Sequence, residues 1–150
     1  MELLFRGKRK DNGEWVEGGL IQCGLYKYIL IPAEEHLHLV IRAEHEDIAM
    51  EVVPVILETL GMYTGRLDKN GKEIFAGIGE KGGDIVKANY SCPVGFDCAP
   101  HKLTGAIEWS EDDCCWMFDY CHGSLPLSAK ELDDIEVIGT VADSPELLEG

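Results

Sequence analysis

Basic residues are scarce in this chain: 13 Lys and Arg stand against 28 Asp and Glu, for a formal net charge of −15 at neutral pH. A surplus of that size repels phosphate polyanions, so direct nucleic-acid binding is disfavoured and a basic partner is favoured. No apolar run approaches the roughly 18 residues that suggest a membrane span. Met1 to Lys10 also lacks the apolar centre of a secretory leader. The expectation is a cytoplasmic protein with no membrane partner. No Cys-x-x-Cys pair and no Gly-x-Ser-x-Gly elbow occur, and the carboxylates offer no pairing that singles out an acid and a base. No catalytic constellation is visible, which points away from an enzyme.

What is present is ordinary globular material. A hydrophobic content of 45% with 27% charged residues is enough for a packed core, and 150 residues match one domain spanning 1–150. Charge is unevenly spread. Arg6, Lys8, Arg9 and Lys10 balance the acidic residues before Leu20, whereas from Ser110 onward Lys130 is the only Lys or Arg among many carboxylates.

The chain reads as many short strands divided by turn signals. Leu3 to Lys8 and Glu14 to Gln22 flank Asn12-Gly13, a hairpin turn, with Gly18-Gly19 as a bulge. Leu25 to Ile31 and His36 to Arg42 follow as strands, and Ala43 to Met50 as a helical turn or polar loop. Glu51 to Leu57 is strand-like but holds Pro54, which predicts an edge or a break. Asp68, Asn70 and Gly71 have the chemistry of a tight turn leading to a strand at Glu73 to Phe75. Asp84 to Tyr90, Leu103 to Trp109, Cys114 to Tyr120 and Ile135 to Ala142 complete the set. Ser144-Pro145 predicts a short terminal helix over Pro145 to Glu149, with Ser144 as its cap. The expected class is mainly β, or β-rich α+β, as a partly closed barrel that limits exposed edges, with a short C-terminal helix.

Several fragments in one order carry a family resemblance. They are Phe5-Arg6-Gly7-Lys8-Arg9, Asn12-Gly13-Glu14-Trp15-Val16-Glu17-Gly18, Tyr63-Thr64-Gly65 through Phe75, Gly83-Asp84-Ile85-Val86, Glu136-Val137-Ile138-Gly139 and Pro145-Glu146-Leu147-Leu148. On these the chain resembles the YopX family of phage and prophage proteins. The resemblance implies a β-rich pseudo-barrel capped by a helix, and it brings no activity with it. Two departures stand out: Ala76 to Gly82 looks inserted before the Gly-Asp-Ile-Val motif, and Met62 precedes Tyr-Thr-Gly where Gln is common.

Gly77-Ile78-Gly79-Glu80-Lys81-Gly82 spells Gly-x-Gly-x-x-Gly, but a turn and strand follow it rather than a helix. No helix dipole would face a phosphate there, so a flexible strand connector is expected and no bound nucleotide. Six cysteines and five histidines raise zinc as the alternative cofactor. Its candidate ligands are Cys92, Cys98, His101, Cys114, Cys121 and His122, with His36 and His38 as a second group on one strand face. Their spacing matches no finger or ribbon, and buried reduced thiols without a cofactor are the main expectation. Cys114 and Cys115 are expected on opposite strand faces, which argues against a shared site. Arg6, Lys8, Arg9 and Lys10 with Phe5 and Trp15 suggest a solvated, charge-protected edge strand, and the three tryptophans suggest packing residues. Together these features point to a non-enzymatic phage-type accessory protein that binds a basic host or phage protein through an acidic surface. The alternative is a zinc-binding or nucleic-acid-associated protein using the Cys/His set. Free strand edges leave self-association open.

Overall fold

The computed structural model describes residues 2–33, 39–42, 44–45, 47–92 and 99–149. The fold is mainly β, and the described residues form eleven strands. They are β1 (Phe5–Arg9), β2 (Trp15–Cys23), β3 (Tyr26–Pro32), β4 (Leu39–Arg42), β5 (Asp47–Leu67), β6 (Glu73–Gly77), β7 (Asp84–Tyr90), β8 (His101–Ser110), β9 (Cys115–Tyr120), β10 (Gly123–Pro126) and β11 (Leu132–Thr140). The main path of neighbours runs β1-β2-β3-β5-β6-β8-β7-β11, with β4 beside β5 and the β9–β10 hairpin beside β8. Pairing is antiparallel except between β6 and β8.

The 21-residue strand β5 organises the first half. It pairs in turn with β4, β3, β1 and β6 as it advances. Pro54 neither ends it nor makes it an edge, because it falls where β5 leaves β3 for β1 and its carbonyl accepts a hydrogen bond from the Lys10 amide at 3.0 Å. A proline lacking an N–H is tolerated at such a change of partner. Since β1 pairs with both β2 and β5, the pairs β1–β2, β2–β3, β3–β5 and β5–β1 make a closed circuit. Val16, Ile29, Val53, Val55 and Leu60 form one core cluster there. Residues expected to begin in a helical turn or polar loop, from Asp47 to Met50, instead start β5, paired with β4.

Between Ile56 and Gly61, β5 swells outward, because Arg6 pairs with Gly61 but Lys8 with Ile56. Thr59 fills the gap: its hydroxyl accepts from the Lys8 amide at 2.8 Å and donates to the Ile56 carbonyl at 2.6 Å. The glycine-rich connector docks on this bulge. The Leu60 carbonyl accepts from the amides of Ile78 and Gly79, and the Glu58 carbonyl from Lys81. A Cβ on Gly82 would sit 1.9 Å from the Leu60 oxygen, so only glycine permits the approach. The connector expected to be flexible is therefore a packed segment pinned by main-chain bonds, and its glycines serve close packing.

The second core gathers Ile74, Val86, Ile107, Phe118, Leu127, Leu132 and Ile135 from β6, β7, β8, β9, β11 and the segment after β10. The tight turn expected at Asp68 to Gly71 joins β5 to β6, with Gly71 at φ 81°. It also reaches β11, where the Lys69 amide donates to the Ile135 carbonyl at 2.8 Å.

Two further expectations are corrected. The C-terminal helix is a single 3-10 turn, Pro145–Leu148, and Ser144 makes no side-chain cap bond. Four residues hold only short i to i+3 bonds, as from the Leu147 amide to the Ser144 carbonyl at 3.1 Å. β1 is an interior strand rather than a solvated edge.

Candidate functional site

The motif residues converge on a buried structural node. The Arg6 guanidinium donates to Asp84 Oδ1 at 2.7 Å and to the Gly82 carbonyl at 3.0 Å, while Asp84 Oδ2 accepts from the Phe75 amide at 2.8 Å. The rings of Phe75 and Trp15 flank the guanidinium at 4.4 and 4.7 Å. Burial pushes the Asp84 carboxyl above its usual pKa, while Arg6 and the Phe75 amide pull the other way. Lys8 Nζ and Trp15 Nε1 both donate to Asp143, and Lys8, then Trp15, hold its pKa below the usual range. Burial works to raise the Asp68 pKa, but the amides of Val137, Lys72 and Asn70 donate to its carboxylate and hold it low. Their hydrogen-bond partners are protein groups, although Arg6 Nε is buried without one and Asp143 is partly exposed. The signature is thus a device for joining β1, β5, β6, β7 and β11.

This arrangement also absorbs the basic cluster near the N-terminus. Arg6 pairs with Asp84, Lys8 with Asp143, and Arg9 with Asp11 and Glu51. Those three cations are neutralised within the chain.

The described members of the proposed ligand set do not come together. His36, His38 and Cys98 lie outside the described residues. His101 is exposed at the start of β8, stacked on Tyr90 at 6.2 Å between ring centres. Cys121 and His122 are exposed in the turn between β9 and β10, and Cys114 is exposed at the end of the turn before β9. Among the described residues, no group of three His, Cys, Asp or Glu side chains is placed to hold a metal ion. The expected buried reduced thiols are also corrected. Cys92 is disulfide-bonded, whereas the free thiols of Cys23, Cys114 and Cys121 are exposed and that of Cys115 is half-buried. The exposed cysteines sit at turns and strand ends, where little packs over them.

The β8–β9 hairpin holds surface features that the turns and core do not explain. Along its inward face Ile107 and Phe118 are fully buried. Two residues toward the tip, Trp109 lies opposite Trp116 with ring centres 4.8 Å apart in a T-shaped pair, yet Trp109 is 42% exposed. The alternation of β-strands therefore carries an apolar face past the point where other elements cover it. A nearly wholly apolar hollow of about 450 Å³ results, lined by Met62, Ile78, Trp109 and Trp116. A second, of about 320 Å³, adjoins it with Thr64, Arg66, Leu127, Ser128 and both Cys114 and Cys115 around the same tryptophans. Cys114 shares this hollow with Cys115 because it lies in the turn at φ 51° and not on the strand. The Arg66 guanidinium is anchored on the Leu127 carbonyl.

A third hollow, of about 300 Å³, lies beside Trp109 and is lined by Glu108, Glu111, Asp112, Asp113 and Asp119 with Ser110, Met117 and Ser124. No Lys or Arg lines it. Partial desolvation, then repulsion from Asp119, raises the Glu108 pKa above its usual value. The tip is shaped by Ser110, whose hydroxyl donates to Asp113 Oδ2 at 2.8 Å and accepts from the Asp113 amide at 3.1 Å. From sequence the tryptophans read as packing residues and nothing marks the tip as a site. The run of like charge from Ser110 onward was the available signal.

Comparison with known proteins agrees with the motif residues: the family model described as YopX protein matches residues 4–149. No curated protein and no solved structure matches the chain. Among the described residues, no helix is long and apolar enough to cross a membrane.

Proposed function

The chain belongs to the YopX family, and from that premise we propose that it is a phage-type accessory protein acting in the cytoplasm by binding rather than by catalysis. Its partner is a basic host or phage protein, met through the acidic surface. The observation that carries this reading is the cluster of Glu108, Glu111, Asp112, Asp113 and Asp119 around one hollow that no basic side chain lines. Partial desolvation and then repulsion from Asp119 make the ionised form of Glu108 costlier and raise its pKa, and an incoming cation relieves that repulsion. The sheet circuit and the reach of the Asp68 turn to β11 make, in this reading, a partly closed barrel that presents the hairpin rigidly. Neutralisation of Arg6, Lys8 and Arg9 by internal carboxylates further disfavours a nucleic-acid role.

The test compares two five-site variants for binding to a lysine-rich peptide at low and moderate salt. One neutralises Glu108, Glu111, Asp112, Asp113 and Asp119 as amides, and the other does so at five exposed carboxylates that do not line the hollow, Glu2, Glu14, Glu17, Glu44 and Asp47. Affinity should fall steeply only in the first. Equal losses in both would reduce the effect to net charge and overturn the reading.

A further inference from the structure

The two hollows around the tryptophans carry charge of the opposite sign to the chain as a whole. Among the described residues Arg66 is the only Lys, Arg, Asp or Glu that lines either of them, in a chain with 28 acidic side chains. We infer that the face of the β8–β9 hairpin bearing Trp109 and Trp116 is a binding site for a small organic anion with an apolar body, an aryl carboxylate. The apolar body lies among Met62, Ile78, Trp109 and Trp116, and the carboxylate meets Arg66. This site is separate from the acidic surface, since the strand register sets Glu108, Met117 and Asp119 on the other face of the hairpin.

Three observations select this occupant. The Arg66 guanidinium is held in place but not neutralised: one of its N–H groups donates to the Leu127 carbonyl, and among the described residues no carboxylate pairs with it. Arg6 and Arg9, by contrast, each meet a carboxylate of the chain. A guanidinium has five donors in a plane, so Arg66 retains donors for a planar carboxylate. The hollows adjoin at the tryptophans and measure about 450 and 320 Å³, the scale of small-molecule sites, which are mostly apolar with few polar groups. Ile78 and Trp109 leave 44% and 42% of their surface in water, so a flat apolar group gains by covering them. The main chain along two of the walls is already bonded. Met62 is paired on one side by β1 and on the other by β6, and the Leu127 amide donates to the Trp116 carbonyl at 2.8 Å. An extended peptide finds no free strand edge along these walls, whereas a ligand recognised by side chains needs none. The net charge of −15 opposes an anion only at long range, and physiological salt screens it beyond about 8 Å.

The test titrates the protein by calorimetry with naphthoate, with uncharged naphthylmethanol and with acetate. Naphthoate should bind about tenfold tighter than naphthylmethanol or more, and acetate should give no detectable binding. Arg66→Met should remove the preference between the two aryl ligands, and Arg66→Lys should restore part of it. Trp109→Ala and Ile78→Ser should weaken both aryl ligands alike, and the second, at an exposed connector position, guards against a folding defect in the first. Neutralising the five carboxylates of the acidic hollow should leave naphthoate affinity intact, so this site and the acidic surface can fail separately. Equal binding of the two aryl ligands, a preference that survives Arg66→Met, or no binding of naphthoate at millimolar concentration would each overturn the inference. Self-association of the protein abolished by Ile78→Ser would make a second copy the occupant and overturn it as well.

Discussion

The buried node around Asp84 and the tip of the β8–β9 hairpin use the same chemistry, charge beside aromatic rings, to opposite ends. At the node one cation, Arg6, lies between Trp15 and Phe75 and meets one carboxylate, which is 0% exposed and takes a further main-chain donor. At the tip two tryptophans lie against each other, one of them 42% exposed, with Arg66 in the adjoining hollow, while on the other face of the hairpin five carboxylates line a hollow without Lys or Arg. Polar groups matched inside the protein hold elements together, because leaving any one of them unpaired in the interior is costly. Polar and aromatic groups left unmatched at the surface do not serve the fold, and they are where a partner's complementary groups can act. The residues of the family signature belong to the first kind of region.

The largest effect should come from breaking the node. Arg6→Ala strands the buried Asp84 carboxylate and should lower stability by about 3–5 kcal/mol in denaturant unfolding. A loss near that of an ordinary surface substitution would mean that the node is not the joint described here. Asp68→Ala should follow, at about 3 kcal/mol, because the amides of Asn70, Lys72 and Val137 lose their acceptor.

The hairpin provides an internal comparison. Phe118→Ala, on its covered inward face, should cost about 3–5 kcal/mol. Trp109→Ala, on the same face beyond the cover, should cost only about 1 kcal/mol, the scale of one aromatic pair. Equal losses would show that the tip is a structural part of the core and would remove the contrast.

Acid titration separates Asp68 and Asp143 from Glu108 by sign, whereas Asp84, raised by burial, shares the sign of Glu108. Asp68 and Asp143 have folded pKa values below the usual range. Their contribution is complete above the unfolded carboxylate value, about pH 4, and is lost as pH falls through it toward their folded values. Asp68→Asn with Asp143→Asn should therefore flatten the acid limb of the stability profile. Glu108 has a raised folded pKa, so its charged form is the disfavoured one and the penalty disappears as pH falls below that value. Glu108→Gln should give a small gain in stability at neutral pH that vanishes in acid. A loss at neutral pH would show that Glu108 has a stabilising partner.

Local chemistry announced the elements that depend on local chemistry. Asn12-Gly13 and Asp68 to Gly71 are turns where their side chains and a positive φ require them, and Asp84–Tyr90 is a strand with the expected bounds. What went unread involved distant partners. Pro54 suggests a break unless β5 is known to change partner there. The strand β10 is formed by Gly, Ser, Leu and Pro, with weak intrinsic preference, and rests on its pairing with β9. The glycines of the connector resemble a flexible linker until the Leu60 carbonyl is found against Gly82.

The candidate site was only partly visible for a similar reason. Excess negative charge is a sum over residues and can be read from composition. Whether Trp109 is covered depends on how far the elements above the β8–β9 hairpin extend.

By itself, the order of residues determined the class of fold, the turns, the family and the sign of the surface charge, since each arises from backbone preferences or from totals that need no partner. Tertiary structure alone decided that Arg6 is buried, that the exposed thiols sit at separate turns and that Trp109 and Trp116 meet at the uncovered end of the hairpin's inward face. Those outcomes depend on contacts between residues far apart in the chain, which come into being only when the sheet closes over its two cores.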